Sequence, residues 1–279
     1  MPFTFDELQK AHREFKKFNY RNRHRDHERF IFPFFAGTYF TYRKIDVFRI
    51  VQLALAISDD PKYVDVGCGY GDFLNKVREF LGNAIGIEKE TAIFYLLEIQ
   101  RPDFIYPTAI EWLEGKTFDI AFVGWMDHGV DFREFVADSV KCVVTTFDSG
   151  GQCGIDGGCD YDEFGLKGLA WWKTPSWIDV NTELMNKYYT KSLRTDEMSK
   201  DCLSKLRTAQ NLWYLYARPE VSDQVTSALK RWLRREEQVF AVEKFDFESI
   251  LDECGFHYMK HLPTMLPEER RLWEVVFED

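Results

Sequence analysis

The sequence predicts an α/β protein built on a mostly parallel, seven-stranded sheet with helices on both faces. Three observations predict it. Short apolar runs alternate with stretches of helical periodicity from Ile45 to Phe147. The first run turns at a glycine cluster, "YVDVGCGYGDF" at Tyr63–Phe73, and a carboxylate, Glu88, ends the second. The chain has 279 residues and 45% hydrophobic content, enough to cover both faces of such a sheet.

The elements follow in order. "YRKIDVFRIVQLALAIS" places Ile45, Val47, Phe48, Ile50, Val51, Leu53, Ala54 and Leu55 at helical spacing, and "DDP" breaks it. "KYVDVGCG" is a buried strand that turns at glycine. "DFLNKVREFLG" is a helix with Phe73, Leu74, Val77, Phe80 and Leu81 on one side and Gly82 at its end. "NAIGIEK" and "TAIFYLLEIQ" repeat the strand–helix unit. "DFIYP" is a third strand and "FDIAFVGW" a fourth. "DFREFVADSV" is a helix and "KCVVTTFD" a fifth strand. Near the end, "FDFESILDECGF" is a helix, and "HYMKHLP" and "RLWEVVFED" are two closing strands.

The remaining stretches suggest four regions. Residues 1–45 form a basic, helical N-terminal extension, and 46–147 the first part of the core. Residues 148–245 form an inserted, mainly helical cap over the substrate, and 246–279 the C-terminal part of the core. The extension carries "KAHREFKKFNYRNRHRDHERF", which is either a solvated helix or an arm that contacts phosphate. The net charge of −10 argues against nucleic acid as the default partner. No uninterrupted apolar stretch is long enough to span a bilayer, and the first residues lack the apolar core of a signal peptide. A soluble, cytoplasmic protein is expected. The six cysteines are scattered and include no CxxC pair, so free thiols are expected rather than a disulfide framework or a zinc site. No metal is expected.

Gly67, Gly69 and Gly71 stand where the first strand leaves the sheet and a helix begins. Glycine permits the turn, and its missing Cβ lets a ligand lie against the backbone. The helix N-terminus adds free N–H groups. In an open parallel sheet the ligand crevice lies beyond these carboxyl ends. Glu88, about 20 residues on, is placed to accept hydrogen bonds from ribose hydroxyls. The spacing is GxGxG, not the GxGxxG of nicotinamide and flavin sites, and no phosphate-loop GK[ST] follows.

"VDVGCGYGDF" followed by "IGIEK" resembles the class I S-adenosylmethionine-dependent methyltransferases, which have a Rossmann-like sheet. The resemblance covers the sheet-forming part of the chain, including the "ECGF" helix end. It implies that the two closing strands form an antiparallel C-terminal edge. It also implies S-adenosyl-L-methionine as cofactor and S-adenosyl-L-homocysteine as product. Asp65 matches the acid of the family's first motif, and Gly67 and Gly69 its backbone-contact glycines. Glu88 matches the ribose-binding acid and Lys89 the residue beside the adenine. Ala109 and Ile110 fall near the loop that brackets the adenine ring. Gly124 and Trp125 fall near the methionine moiety.

Motifs that would name an acceptor are missing. After the fourth strand the chain reads "GWMDHG", not [DN]PP[FY], and "PC" occurs nowhere. Within "WMDHG", His128 is a candidate general base and Asp127 its orienting partner or an amine ligand. The plain alternative is a helix-capping aspartate beside a surface histidine. "FDSGGQCGIDGGCDYDEFG" leaves the fifth strand, glycine-rich and acidic, and is either a lid or a mobile loop. Cys153 and Cys159 within it are a thiol pair or a metal loop in the sharper readings. Trp171, Trp172 and, nearby, Tyr188 are candidate substrate contacts, able to cage an amine or stack an aromatic ring, or else cap core. The expected function is methylation of an oxygen or nitrogen on a small molecule. The alternatives are an RNA or protein methyltransferase guided by the basic arm, an NAD-dependent oxidoreductase, and a non-catalytic nucleotide-binding module.

Overall fold

The computed structural model describes Lys10, Arg13, Glu14, Lys17, Tyr42, residues 44–96, 98–124, Met126, and residues 129–147, 154–155, 160–173, 212–240 and 275–278. Helix α1 (Lys44–Ile57) leads into β1 (Tyr63–Val66). Then come α2 (Asp72–Arg78), β2 (Ile85–Glu88), α3 (Ala92–Leu96) and β3 (Ile105–Pro107). A 3-10 turn at Ile110–Leu113 precedes β4 (Phe118–Val123), α4 (Arg133–Ser139) and β5 (Val140–Phe147). A second 3-10 turn at Asp162–Phe164 precedes β6 (Lys167–Lys173). β7 (Leu212–Ala217), α5 (Pro219–Phe240) and β8 (Val276–Phe277) complete the described elements.

The strands form one sheet in the order β3-β2-β1-β4-β5-β7-β6-β8. The pairs from β3 to β5 are parallel, whereas β7 is antiparallel to both β5 and β6, and β8 is antiparallel to β6. Every residue of β1 and β4 is buried, as expected for strands covered on both faces. One face holds α1, α2 and α5 through Ile50, Leu53, Phe73, Leu74, Val225 and Leu229. The other holds α4 and the two 3-10 turns through Val136, Ala137, Leu113 and Tyr161. Among the described residues, no helix is long and apolar enough to cross a membrane.

The fold class agrees with the expectation: the sheet is mixed, mostly parallel, with an antiparallel edge. Two readings need correction. The span 148–245, expected as a helical cap, contributes β6 and β7 to the sheet itself. Its helix α5 packs on α1 and the sheet through Val221, Val225 and Leu229. The reason lies in "KGLAWWK" and "LWYLYA". Strands buried on both faces lose the polar–apolar alternation that marks a strand, and this pair is far apart in sequence. The antiparallel edge is therefore made by β7 and β6 from the expected cap together with the C-terminal β8, and the described residues hold eight strands. Of "RLWEVVFED", Val276–Phe277 forms β8, while "HYMKHLP" and "FDFESILDECGF" lie outside the described residues. Within the N-terminal extension, Lys10, Arg13, Glu14 and Lys17 are helical, with an exposed Lys17–Glu14 ion pair at 2.9 Å.

Candidate functional site

The sheet order reverses between β1 and β4. From β1 the chain steps outward to β2 and β3, then crosses back to β4 on the other side. Successive helices cover opposite faces there, so a crevice opens beyond the carboxyl ends of these two strands. Val66 pairs with Val123, which sets the exits of β1 and β4 level with each other. Gly67 and Gly124 are the next residues.

The glycine loop is built for that crevice. Gly67, Gly69 and Gly71 have φ of 67°, 56° and 85°, a left-handed backbone that residues with a Cβ rarely adopt. Gly67 and Cys68 both donate their N–H to the Ile87 carbonyl at 3.0 and 3.1 Å, and Gly71 N–H closes the turn on the Cys68 carbonyl at 2.9 Å. The glycines have different jobs. A Cβ on Gly71 would stand 2.6 Å from Ile105 Cδ1, so this glycine is needed for packing. A Cβ on Gly69 would meet nothing closer than Ile93 Cδ1 at 3.9 Å, so the space before it is open to a ligand.

Glu88 is tied into this loop. Its Oε2 accepts the Gly69 N–H at 2.8 Å and its Oε1 the Glu90 N–H at 2.7 Å. Each oxygen keeps a second lone pair for a ligand hydroxyl. Asp65, one residue before the exit of β1, is buried at 3% exposure. Burial, then the neighbouring Asp72 and Glu88 carboxylates, push its carboxyl well above the usual carboxylate range. Burial, then Asp65, Glu88 and Asp72, push the Cys68 thiol up, so it stays protonated. Lys89 is exposed and makes no ion pair among the described residues. The crevice thus sets the Glu88 and Asp72 carboxylates, with the buried Asp65 carboxyl, around an open backbone.

The second wall follows β4. Thr146 Oγ1 donates to the buried Gly124 carbonyl at 2.7 Å, and Thr145 Oγ1 to the Val123 carbonyl at 3.2 Å. Beyond β5, Gly154 N–H donates to the Met126 carbonyl at 3.0 Å and Gly129 N–H to the Gly154 carbonyl at 2.9 Å. The glycine-rich segment after β5 is thereby fastened to the loop after β4. Trp125, Asp127 and His128 lie outside the described residues. Ala109 and Ile110 open the 3-10 turn just past β3, where Thr108 N–H reaches the Glu88 carbonyl at 3.1 Å.

The candidate substrate contacts divide. Tyr188 lies outside the described residues. Trp172 is fully buried in β6, stacks on Trp213 at 5.8 Å, and donates Nε1–H to Asp46 Oδ1 at 3.0 Å. It is core, and the substrate role assigned to it is corrected here. Trp171 is half-buried on the opposite face, paired with Tyr214 and Val276 in the sheet and not in a cap. Sequence reasoning missed Asp72 and the Thr145–Thr146 pair. An acid in the first turn of a helix after a glycine loop was a readable signal for Asp72. The threonines gave none, because register decides which carbonyls they meet.

No family model matches the chain, and neither does any curated protein. Solved structures do. One is Streptomyces venezuelae DesVI, at 15% identity and a TM-score of 0.31, covering 48% of this chain and 56% of that one. Another is the sugar N-methyltransferase KedS8 from Streptoalloteichus, at 16% identity and a TM-score of 0.29, covering 47% and 52%. A third is coclaurine N-methyltransferase bound to N-methylheliamine and SAH, at 10% identity and a TM-score of 0.37, covering 61% and 71%. The chain spans little more than half the length of the first two. Strand order and the glycine loop, not these likenesses, carry the assignment. The chain has a Rossmann-like α/β fold, a mostly parallel sheet with an antiparallel edge, consistent with that of the class I methyltransferases its glycine loop resembles.

Proposed function

We propose that the crevice between β1 and β4 binds S-adenosyl-L-methionine and that the chain methylates a small molecule on oxygen or nitrogen. The observation that carries this reading is the open backbone at Gly69 hydrogen-bonded to Glu88 among three carboxylates. Glu88 suits ribose hydroxyls. The anionic surroundings suit an ammonium and a sulfonium and oppose the pyrophosphate of NAD, which argues against the oxidoreductase reading. Asp65, Gly67, Gly69 and Gly71 would face the amino-acid part, Ala109, Ile110 and Lys89 the adenine, and Gly124 and Trp125 the methionine chain. When bound, the cofactor supplies an electrophilic methyl group.

The chain's own task is to align the acceptor and remove its proton. His128 is assigned as the base and Asp127 as its orienting group or an amine ligand. The acidic crevice favours a neutral or cationic acceptor, an alcohol or an amine, over a polyanion at this edge.

Titration calorimetry against S-adenosylhomocysteine and NAD tests the cofactor. Saturable binding of the first and none of the second is expected, and tighter NAD binding would overturn the reading. For the chemistry, His128→Ala should slow methyl transfer about 10²–10⁴-fold with cofactor affinity nearly unchanged. A rate within about threefold of wild type, well under that contribution, would remove His128 as the base.

A further inference from the structure

Helix α5 carries the segment "LKRWLRREE", with Lys230, Arg231, Arg234 and Arg235 in a chain of net charge −10. Arg231, Arg234 and Arg235 are exposed, and none has an ion-pair partner among the described residues. Like charges four residues apart on a helix repel. Arg231 and Arg235 stand in that relation, as do Lys230 and Arg234. Of the two acids that follow, Glu236 offers no relief, because it is buried and holds Arg49 through two hydrogen bonds at 2.6 and 3.1 Å.

Arg231 and Arg235 line a cleft of about 180 Å³ between α5 and α1. Small residues, Ala56 and Ala228, leave the recess, and Gln52, Leu55 and Trp232 complete the wall. The Trp232 ring is held flat against Phe48, with centroids 5.6 Å apart and planes 7° apart. Gln224 ties the end of α1 by donating to the Ala56 carbonyl. The walls are therefore positioned. Two planar guanidinium groups one turn apart suit the oxygens of a phosphate, Gln52 supplies an amide donor and acceptor, and the alanines and indole offer an apolar surface to a flat ring. The cleft lies on the face of the sheet covered by α1 and α5, towards the end of α1 that feeds β1, and shares no residue with the crevice at the opposite ends of the strands.

We infer that this cleft is a second binding site that takes a nucleotide: the phosphate on Arg231 and Arg235, the base against the alanines and Trp232. A free nucleotide and a nucleotide of a single-stranded RNA present the same chemistry. The test keeps them apart and keeps the first crevice filled.

With S-adenosylhomocysteine saturating, binding of uridine 5′-monophosphate, a short oligouridylate and inorganic phosphate is measured by calorimetry on the full chain. Uridine avoids the adenosine preference of the other site. Saturable binding of uridine monophosphate, about tenfold or more tighter than phosphate, is expected. The Arg231→Gln/Arg235→Gln double variant should lose about tenfold or more of that affinity, and Arg234→Gln less than about twofold. S-adenosylhomocysteine affinity should stay unchanged in all of them, which separates this inference from the cofactor assignment. Tighter binding of the oligouridylate, weakening steeply with salt, names RNA as the source, and equal binding names the free nucleotide. Absence of saturable binding by both, an unaffected double variant, phosphate binding as tightly as the nucleotide, or binding only to vesicles containing phosphatidylserine would each overturn it.

Discussion

The backbone N–H of Gly69 donates to Glu88 Oε2 at 2.8 Å. The tip of the first turn and the end of the second strand therefore move as one unit. A ligand that bonds to Glu88 finds the backbone of Gly69 already aimed. That arrangement needs the left-handed φ of 56° at Gly69, the residue with open space before it.

Gly69→Ala and Gly71→Ala should fail in different ways. Both place a Cβ on a left-handed backbone, costing about 1–2 kcal/mol. Only at Gly71 does the Cβ also strike Ile105. Gly71→Ala should show the larger fall in melting temperature, and Gly69→Ala the larger loss of S-adenosylhomocysteine affinity. Glu88→Ala should weaken that ligand by about 1–3 kcal/mol, the range for a hydrogen bond to a charged group. Thermal melts and calorimetry on the three variants decide it. Normal ligand affinity in Gly69→Ala would show that the ligand does not lie on this backbone.

Much of this was legible in the sequence. From β1 to β5 each apolar run ends in a turn signal, and the glycines and Glu88 stand where the crevice needs them. The antiparallel edge was not legible. Trp171 and Trp172 read as candidate ligand contacts and Trp213 falls in a stretch read as helical cap, because a buried tryptophan looks the same in sequence as one that cages a ligand. Only pairing resolves them: Trp172 meets Trp213, which meets Thr146.

Hydrogen exchange should reflect that pairing. The segment Asp148–Trp177 reads as a lid from its glycine content, yet Ala170–Lys173 pairs with Leu212–Leu215 in the sheet. Amides of β6 and β7 that donate within the sheet should exchange slowly with or without ligand. The Gly154 and Gly129 amides, in single bonds at the edge, should exchange faster and slow when cofactor is added. Fast exchange throughout β6 in the free protein would contradict the sheet assignment.

Thr146 is the predicted positioning residue for the loop after β4. Its hydroxyl is the side-chain partner of the buried Gly124 carbonyl. Thr146→Val keeps the shape and strands that carbonyl, at a cost of about 1–3 kcal/mol. Turnover should fall more than S-adenosylhomocysteine affinity, because Trp125–His128 hang from Gly124. Thr146→Ser should restore both stability and turnover. A valine variant as stable and active as wild type would leave Gly124 without need of this bond.

Arg49 and Glu236 join α1 to α5 in the interior, with Arg49 1% exposed. Removing one partner should cost far more than removing both. Glu236→Ala takes from the buried guanidinium its two-bonded carboxylate, and about 3–5 kcal/mol of stability should be lost. Arg49→Met combined with Glu236→Leu should recover most of it. Denaturant unfolding measures both, and a double variant weaker than the single one would show that the pair itself stabilises the fold.

Asp65 should trade stability for binding. Its carboxyl titrates higher in the folded chain than in the unfolded one, through burial and then the Asp72 and Glu88 charges. The sign follows from linkage: its stabilising contribution is complete below about pH 4 and is lost as pH rises from there through the folded value. Burial therefore disfavours the ionised carboxyl in the free protein. Asp65→Asn removes that ionisation and should raise the melting temperature increasingly as pH rises. The gain should shrink on acidification, where the native carboxyl is protonated anyway. A cationic ligand reverses the ranking, because it offsets the charge that made Asp65 costly. Added S-adenosylhomocysteine, with its ammonium group, should stabilise the native protein more than the asparagine variant, and calorimetry should show weaker binding to the variant. An asparagine variant that melts lower than wild type and binds the ligand equally well would show that Asp65 serves the fold and not the site.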